Sequence, residues 1–256
     1  MPKPLILVSN DDGITSHGIR TLVKVMKQIG EVVVVAPNSP QSGMGHAITI
    51  GNTLRLDQTD LYGDVLAFEC SGTPADCVKL AKHIVLKDRK PDLVVSGINH
   101  GSNSSISVLY SGTMSAAIEA AIEGMPSIGF SLCEYSPNAP LDHCEEHVFN
   151  IVNNVLKKGM QKGIALNVNI PSKSSGIIKG IKICRQALSK WEEKFEERVD
   201  PNGRKYFWMN GKFLNLDENE DTDDWALNNG FISIVPCSYD MTSFPVIEQL
   251  KKEMNF

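Results

Sequence analysis

Short apolar runs alternate with segments of helical periodicity along most of the chain. Residues 4–8 (PLILV) form the first run and residues 31–36 (EVVVVA) the second. Short runs rich in valine and isoleucine are typical of strands covered on both faces of a sheet. Further strands are predicted at residues 66–69, 91–96, 125–131, 164–170, 177–185 and 231–235, with a short hairpin at residues 47–50 and 53–57.

Between these runs, apolar residues recur at the spacing of one helix face. Helices are predicted at residues 17–29, 74–85, 114–123, 143–158 and 245–256, with a short helix around Trp225. The alternation of strands and helices predicts an α/β fold with a Rossmann-like, mostly parallel sheet flanked by helices. Such a sheet binds ligands at the carboxyl ends of its strands.

Polar loops follow three of the predicted strands. They carry Asp11 with Asp12 (in NDDG), Ser42 and Asn99. Adjacent carboxylates repel each other and are normally separated, neutralised or bridged by a cation. Oxygen donors without thiolates suit magnesium, manganese or calcium better than zinc or copper, so we expect a divalent cation here. An Asp-Gly turn before a helix is also an ordinary turn and cap, and the acidic turn alone would not decide the matter.

A divalent cation with open coordination positions would bring together a water and a phosphoryl oxygen, which predicts hydrolase chemistry. Ser111-Gly112-Thr113 opens the helix predicted at residues 114–123. The free backbone N–H groups of a helix start bind phosphate, so this segment is the predicted anion pocket. Thr73-Pro74, by contrast, has the pattern of an ordinary helix start.

The character of the chain changes from about residue 173. Residues 190–198 are charged, and residues 205–216 predict a β-hairpin that turns at Asn210-Gly211. We expect residues 1–172 to form the catalytic α/β core, and residues 173–256 to elaborate the same domain with a projecting hairpin, a closing strand and a helical tail. A long hairpin needs a surface to cover, which favours a partner subunit.

Charge and cysteine content exclude several classes of function. The net charge of −5 disfavours binding to nucleic acid polymers but leaves a small phosphorylated ligand open. No apolar run is long enough to span a membrane, and the N-terminus lacks a secretory signal, so we expect a cytoplasmic protein. The six cysteines form no C-x-x-C pair and predict buried thiols rather than a zinc site or a disulfide framework.

Two other features were weighed as sites. The acidic run at residues 217–224 begins with the ligand spacing of a calcium-binding loop, but Thr222 and Asn228 stand where that loop requires glycine and glutamate, so we reject calcium there. Isolated histidines near turns are more often structural than catalytic. Three histidines lie near the polar loops: His17, His46 and His100.

Six motifs follow one another along the chain: ILVSNDDGITSHGI, VVAPNSPQSGMGHAIT, SGTPADCVKLA, PDLVVSGINHGSN, YSGTMSAAIEA and LNVNIP. Any one of them alone is weak, whereas their joint order and spacing are specific. With these motifs the chain resembles the SurE (survival protein E) family of metal-dependent nucleotidases and acid phosphatases. The resemblance is dense through Pro171 and thinner afterwards, where DDWALNNGFISIVP is similar to the family's closing strand region.

The resemblance implies a phosphomonoesterase that releases phosphate from nucleoside 5′- and 3′-monophosphates by means of a metal-activated water, with some members also acting on polyphosphate. It implies one divalent ion per subunit, Mg²⁺ or Mn²⁺, in a site that Ca²⁺ can also occupy. It further implies homodimers or homotetramers that exchange the carboxyl-terminal extension. The family's metal ligands fall on Asp11, Asp12, Ser42 and Asn99, and its catalytic residues on Asp11, Asp12 and Asn99. Its phosphate-binding residues fall on Asn99, Gly101, Asn103, Ser111, Gly112 and Thr113.

The chain departs from the family pattern where the family usually carries a glycine and then an aspartate. Ser105 and Ser107 occupy these places, which leaves the rate and the metal preference open. Two rival functions fit the fold less well. A dinucleotide-dependent oxidoreductase needs G-x-G-x-x-G after the first strand. A non-catalytic metal-binding regulatory module of the phosphoacceptor-receiver kind needs an aspartate at the end of its third strand, where this chain has Ser96-Gly97.

Overall fold

A computed structural model describes residues 3–254 as eleven strands and six α-helices. The strands are β1 (Leu5–Ser9), β2 (Glu31–Pro37), β3 (Leu56–Thr59), β4 (Leu66–Cys70), β5 (Leu93–His100), β6 (Ser127–Cys133), β7 (Ile164–Pro171), β8 (Ile181–Ile183), β9 (Ser189–Val199), β10 (Lys205–Asn215) and β11 (Ile232–Ser238). The helices are α1 (His17–Met26), α2 (Pro74–Leu80), α3 (Gly112–Ile122), α4 (Asp142–Lys158), α5 (Asp223–Asn228) and α6 (Phe244–Glu253).

Nine of the strands form one mixed sheet in the order β3-β4-β2-β1-β5-β6-β7-β11-β8. The strands from β4 to β7 pair in parallel, whereas β3 runs antiparallel to β4 and β11 antiparallel to β7. This confirms the predicted Rossmann-like, mostly parallel sheet. The chain builds outward from β1 in both directions, through β2 on one side and β5 on the other, and a ligand crevice forms where the order reverses in this way.

Alternate residues of the central strands are buried on opposite faces of the sheet. Ile6 and Val8 of β1 belong to the core beneath α1 and α4. Leu5 and Leu7 belong to the core beneath α2 and α3. The burial of every β1 residue explains why its sequence is a continuous apolar run rather than an alternating one.

The hairpin lies elsewhere than predicted. Its strands are β9 and β10, and Asn210 and Gly211 lie inside β10, so the predicted turn there is wrong. The turn is formed by residues 200–204, where Asp200 Oδ1 accepts the N–H groups of Asn202 and Arg204 and Gly203 has φ +80°. Segment 190–198 is charged because it is an exposed strand rather than a loop. Unlike the other strands, β9 and β10 pair as a separate two-stranded sheet.

The observed bounds of other elements differ less from the predicted ones. Residues 47–50 form no strand, and only β3 of the predicted short hairpin pairs with β4. The helix predicted to reach residue 85 ends its α-helical part at Leu80 and continues as a π-helical turn, Ala81–Leu86. The capping role of Thr73 is confirmed, since its side chain accepts the N–H of Asp76. The last two residues of the predicted tail helix lie outside the described residues.

The acidic run has partners of its own. Arg185 contacts Asp217 (Nη1 to Oδ2, 2.5 Å) and Asp221 (Nε to Oδ2, 2.9 Å), so these carboxylates are neutralised by a guanidinium.

All six cysteines have free thiols. No helix within residues 3–254 combines the length and apolar character needed to cross a membrane.

Candidate functional site

The position of Asn99 depends on an irregularity in β5. The sequence predicts that this strand ends at Ser96, but it continues to His100, and its pairing with β6 shifts register between Ser96 and Asn99. Such a bulge re-aims the side chains that follow it. The Asn99 amide nitrogen donates to the carbonyl of Gly101 (2.8 Å), which leaves the amide oxygen at the opposite end of the group as an acceptor.

Asp11 lies directly after β1 and contacts the start of α3. Thr113 Oγ1 donates to Asp11 Oδ1 (2.5 Å). A Cβ atom added at Gly112 would lie 2.6 Å from Asp11 Cβ, so only glycine allows the helix to approach the carboxylate this closely. The predicted first-turn residues of α3 are therefore brought against the predicted metal ligand.

The two carboxyl groups are held in an environment that disfavours their charge. Asp11 is only 4 % exposed. Its burial and the neighbouring Asp12 raise the pKa of Asp11 from 3.8 to about 6. Burial also raises the pKa of Asp12, against the opposing effect of His100. A bound cation would stabilise the charged form of both carboxyl groups, because it supplies the positive charge that this pair lacks.

One carboxylate oxygen of Asp12 is buried beside His100. His100 Nδ1 lies 3.0 Å from Asp12 Oδ1, and within residues 3–254 this buried oxygen has no other donor within reach. Buried acceptors are normally satisfied by a protein group, a water or an ion. Asp12 Oδ1 is therefore suited to face a cation.

Ser42 lies in an exposed loop that is tied down at several points. The N–H of Gln41 donates to the carbonyl of Asp11 (2.7 Å), and the N–H of Gly45 donates to the carbonyl of Tyr110 (3.2 Å). His46 Nε2 donates to Glu119 Oε2 (2.9 Å), and Glu119 is buried on α3. The loop has no regular secondary structure, so these contacts set the position of Ser42.

Two cavities flank these side chains. The first, of about 450 Å³, is lined by Asp12, Ser42 and Asn99 together with His17 and His100. The second, of about 370 Å³, is lined by Asp11, Ser42, Asn99, Gly101, Asn103 and Ser111. Gly112 and Thr113 lie behind its wall through their contacts with Asp11. Ser42 and Asn99 line both cavities, whereas Asp12 lines only the first and Asp11 only the second, so the four predicted metal ligands border two cavities that share residues.

Two of the predicted phosphate-binding side chains also have structural partners. Ser111 is the N-cap of α3, and its Oγ accepts the N–H of Met114 (3.0 Å). Asn103 donates from Nδ2 to Ser131 Oγ (2.8 Å) and from its backbone N–H to Asn169 Oδ1 (2.8 Å). These bonds fix the shape of the loop and occupy the backbone N–H of Asn103 as well as the Ser111 hydroxyl oxygen.

The structure accounts for Ser105 at the position where glycine was expected. Ser105 is buried with φ +54°, a conformation that glycine adopts without strain and serine rarely does. Its N–H and Oγ both donate to the carboxylate of Asp223 (2.8 and 3.3 Å). The buried carboxylate holds the serine in this conformation. Ser107 lines the second cavity.

Several residues that hold the loops of the candidate site were not predicted from the sequence. Asn167 and Asn169 lie on the same face of β7; Asn167 Nδ2 donates to the carbonyl of Asn103 (2.8 Å). The sequence does carry a signal for them, because two asparagines occupy alternate positions of an otherwise apolar strand. Glu119 gave no such signal, since its contact with His46 spans 73 positions of the chain.

The set of donors suits a hard divalent cation. No group of three or more histidine, cysteine, aspartate or glutamate side chains in residues 3–254 is arranged to hold a metal ion. The candidate site instead combines two carboxylates with a serine hydroxyl and an asparagine amide, all oxygen donors. Magnesium, manganese and calcium prefer such ligands.

Comparisons with known proteins identify the family of this chain. A family model described as Survival protein SurE matches residues 6–193. The chain belongs to the SurE family. Among its SurE relatives, the 5′-nucleotidase SurE of Cytophaga hutchinsonii is 68 % identical over 256 residues, which cover 100 % of this chain and 99 % of that protein. The 5′-nucleotidase SurE of Bacteroides thetaiotaomicron is 45 % identical over 249 residues, 97 % of this chain and 95 % of that protein.

The fold of this SurE chain also has a counterpart among solved structures. The crystal structure of the SurE protein from Aquifex aeolicus matches it with a TM-score of 0.82 at 38 % identity, covering 98 % of this chain and 100 % of that one. The likeness therefore includes the carboxyl-terminal region, where the sequence motifs are thinner.

Proposed function

We propose that this SurE chain is a metal-dependent phosphomonoesterase that hydrolyses nucleoside 5′- and 3′-monophosphates to nucleoside and phosphate. The observation that carries the proposal is the pair of adjacent carboxylates: Asp11 is buried beside the start of α3 and lines one ligand-sized cavity, and Asp12 lines the neighbouring one. The two relatives described above are named 5′-nucleotidase, which supports the same activity. Activity on polyphosphate is a further expectation from the family resemblance.

In this proposal Asp11, Asp12, Ser42 and Asn99 hold one divalent ion per subunit, Mg²⁺ or Mn²⁺, and Ca²⁺ also fits the oxygen donors. When bound, the ion would supply positive charge to the phosphoryl oxygens and favour ionisation of an attacking water. Thr113 orients Asp11 through its hydroxyl, and His100 lies beside Asp12. The start of α3, Ser111-Gly112-Thr113, is the proposed anion pocket, because a helix start leaves N–H groups without partners in its own helix and carries positive partial charge.

The test of the proposal is the dependence of nucleotide hydrolysis on added metal. Asp11→Ala and Asp12→Ala should each lower turnover by about 100-fold or more, because each removes charge stabilisation at the reacting group. Asp60→Ala, in an exposed loop, is the matched control and should keep wild-type turnover. Near-normal turnover in either site variant, at saturating substrate and metal, would overturn the assignment. Absence of phosphate release with every metal would favour the oxidoreductase or regulatory alternatives.

We further propose that the protein forms a homodimer or homotetramer through its carboxyl-terminal elaboration, residues 173–256. The support is the apolar face of the β9–β10 hairpin. By the strand register, alternate residues share this face, and four of them are more than half exposed: Phe195, Val199, Phe207 and Met209. A hairpin of two strands is marginally stable alone, so a partner surface would stabilise it.

Six free thiols support a cytoplasmic location, where thiols stay reduced.

A further inference from the structure

The second cavity has a wall that the metal and phosphate chemistry leaves unused. Besides Asp11 and Asn99, it is lined by three aromatic side chains, Tyr110, Tyr135 and Trp191. They come from three different parts of the chain: a 3₁₀-helix before α3, the loop after β6, and the first residues of β9. The cavity, of about 370 Å³, therefore combines polar groups with aromatic side chains.

The ring of Tyr135 rests against backbone and is largely exposed. A Cβ atom added at Gly101 would lie 2.9 Å from the ring, so the ring contacts the backbone of the predicted phosphate loop. Tyr135 nevertheless remains 69 % exposed. An aromatic ring that is positioned by backbone and still exposed can stack a planar ligand.

Trp191 is also held in place. Its ring packs edge-to-face against Phe213, with centroids 5.7 Å apart and an interplanar angle of 71°. Trp191 and Tyr135 together also line a smaller neighbouring cavity of about 200 Å³, which carries Asp224 and Asn228. The two aromatic side chains therefore border both cavities, and the smaller cavity adds polar groups.

The cavity on the other side of the metal ligands has a different character. Its volume is about 450 Å³, but its lining contains no tyrosine, tryptophan or phenylalanine. A planar base would find no comparable stacking surface there. The two cavities share Ser42 and Asn99, so a phosphate near these residues could extend its ester group into either, and only one offers aromatic rings.

We propose that the nucleobase of the substrate binds on the aromatic side of the site, stacked on Tyr135 and Trp191. This rests on the proposed nucleotidase function and assigns the subsite that distinguishes a nucleotide from other phosphomonoesters. Stacking uses the π-face that all bases share, so the subsite accepts different bases. A volume of about 370 Å³ lies within the range of about 300–1,000 Å³ that small-molecule sites occupy.

The test compares adenosine 5′-monophosphate with ribose 5-phosphate, which has the same phosphate and sugar but no base. Tyr135→Ala should raise the KM for adenosine 5′-monophosphate by about tenfold, the loss expected for one stacked base, and leave the KM for ribose 5-phosphate unchanged. Tyr135→Phe keeps the ring and should keep the wild-type KM. Tyr239→Ala, which removes an exposed tyrosine from a different cavity, is the matched control.

If Tyr135→Ala changed the KM of both substrates equally, or changed neither, the base subsite would be overturned. A binding measurement separates this outcome from failure of the proposed function. Adenosine should quench the fluorescence of Trp191, so Trp191→Phe should abolish the quenching, whereas Trp208→Phe and Trp225→Phe should retain it. Quenching by adenosine without any hydrolysis would support the subsite and refute the nucleotidase activity, and quenching that survives Trp191→Phe would refute the subsite.

Discussion

The carboxyl group of Asp11 is buried against a second carboxyl group, an arrangement that costs stability in the absence of a cation. The pKa of Asp11 is raised from 3.8 to about 6, mainly by burial. The folded protein therefore binds a proton more tightly than the unfolded chain does. Its stability is highest, with respect to this group, below pH 4 and decreases as the pH rises through about 6.

Replacement of Asp11 by asparagine imitates the protonated form and removes this dependence. In a chelator at pH 8, Asp11→Asn should increase the free energy of unfolding by about 2–3 kcal/mol over wild type, and the difference should vanish near pH 4. Urea unfolding at pH 4, 6 and 8 measures this. Added Mn²⁺ should stabilise wild type and leave the variant almost unchanged, because only wild type binds the ion tightly. A variant less stable than wild type at pH 8 without metal would contradict the prediction.

Single residues with a strong chemical signal were predictable from the sequence. Asp11 and Asp12 stood out as paired carboxylates after an apolar run, and a parallel sheet brings strand ends to one edge. The contacts that hold them were not predictable. The bond from Thr113 to Asp11 spans 102 positions, and no local pattern specifies which hydroxyl reaches which carboxylate.

At the scale of elements, α3 contacts two separate parts of the site. Its first turn holds Asp11 through Thr113, and Glu119 further along holds the Ser42 loop through His46. Glu119 also accepts from Lys79 of α2 (2.6 Å). Hydrogen bonds from His46 and Lys79 outweigh burial and lower the pKa of Glu119, so it remains a carboxylate at neutral pH.

Loss of this contact should loosen the Ser42 loop. Glu119→Gln should raise the metal concentration for half-maximal activity by about fivefold, or about 1 kcal/mol, because a charged hydrogen bond to His46 is weakened. Glu123→Gln is the matched control, since Glu123 lies on the same helix and pairs with Lys82 without touching His46. It should change that concentration by less than about twofold. Equal effects of the two substitutions would attribute the loss to helix packing instead.

Two element boundaries show where local sequence signals fail. Asn210-Gly211 is a strong turn dipeptide, yet it lies within β10, because the competing turn at residues 200–204 allows all eleven residues of each strand to pair. Strand β5 continues beyond the glycine that was predicted to end it, because β6 offers partners on both sides of the bulge. In both cases pairing with a distant segment outweighed the local preference.

At the scale of the whole molecule, the hairpin carries several large apolar side chains that are more than half exposed. Phe207 and Trp208 are adjacent in β10 and equally exposed, at 57 %, but their side chains point to opposite faces. Phe207 shares its face with Phe195 and Met209. Trp208 instead shares its face with the charged residues Glu196 and Arg198.

This difference gives a test of self-association. Phe207→Ser should weaken the oligomer by about tenfold or more, as expected for a buried aromatic side chain at an interface. Trp208→Ser, on the charged face, should leave the oligomer unchanged. Light scattering coupled to size exclusion, over a range of protein concentrations, measures the assembly. A monomeric wild type, or equal loss in the two variants, would contradict the proposed interface.

The position of β11 has a consequence for how the chain is made. Strand β11 lies between β7 and β8, although the hairpin separates it from β7 in sequence. Synthesis begins at the N-terminus, so β7 emerges long before the strand that covers its outer edge. An open edge on a buried strand invites pairing with other chains. A nascent chain interrupted before residue 232 should therefore aggregate rather than fold as a smaller protein, because the last strand to leave the ribosome is the one that covers the edge of β7.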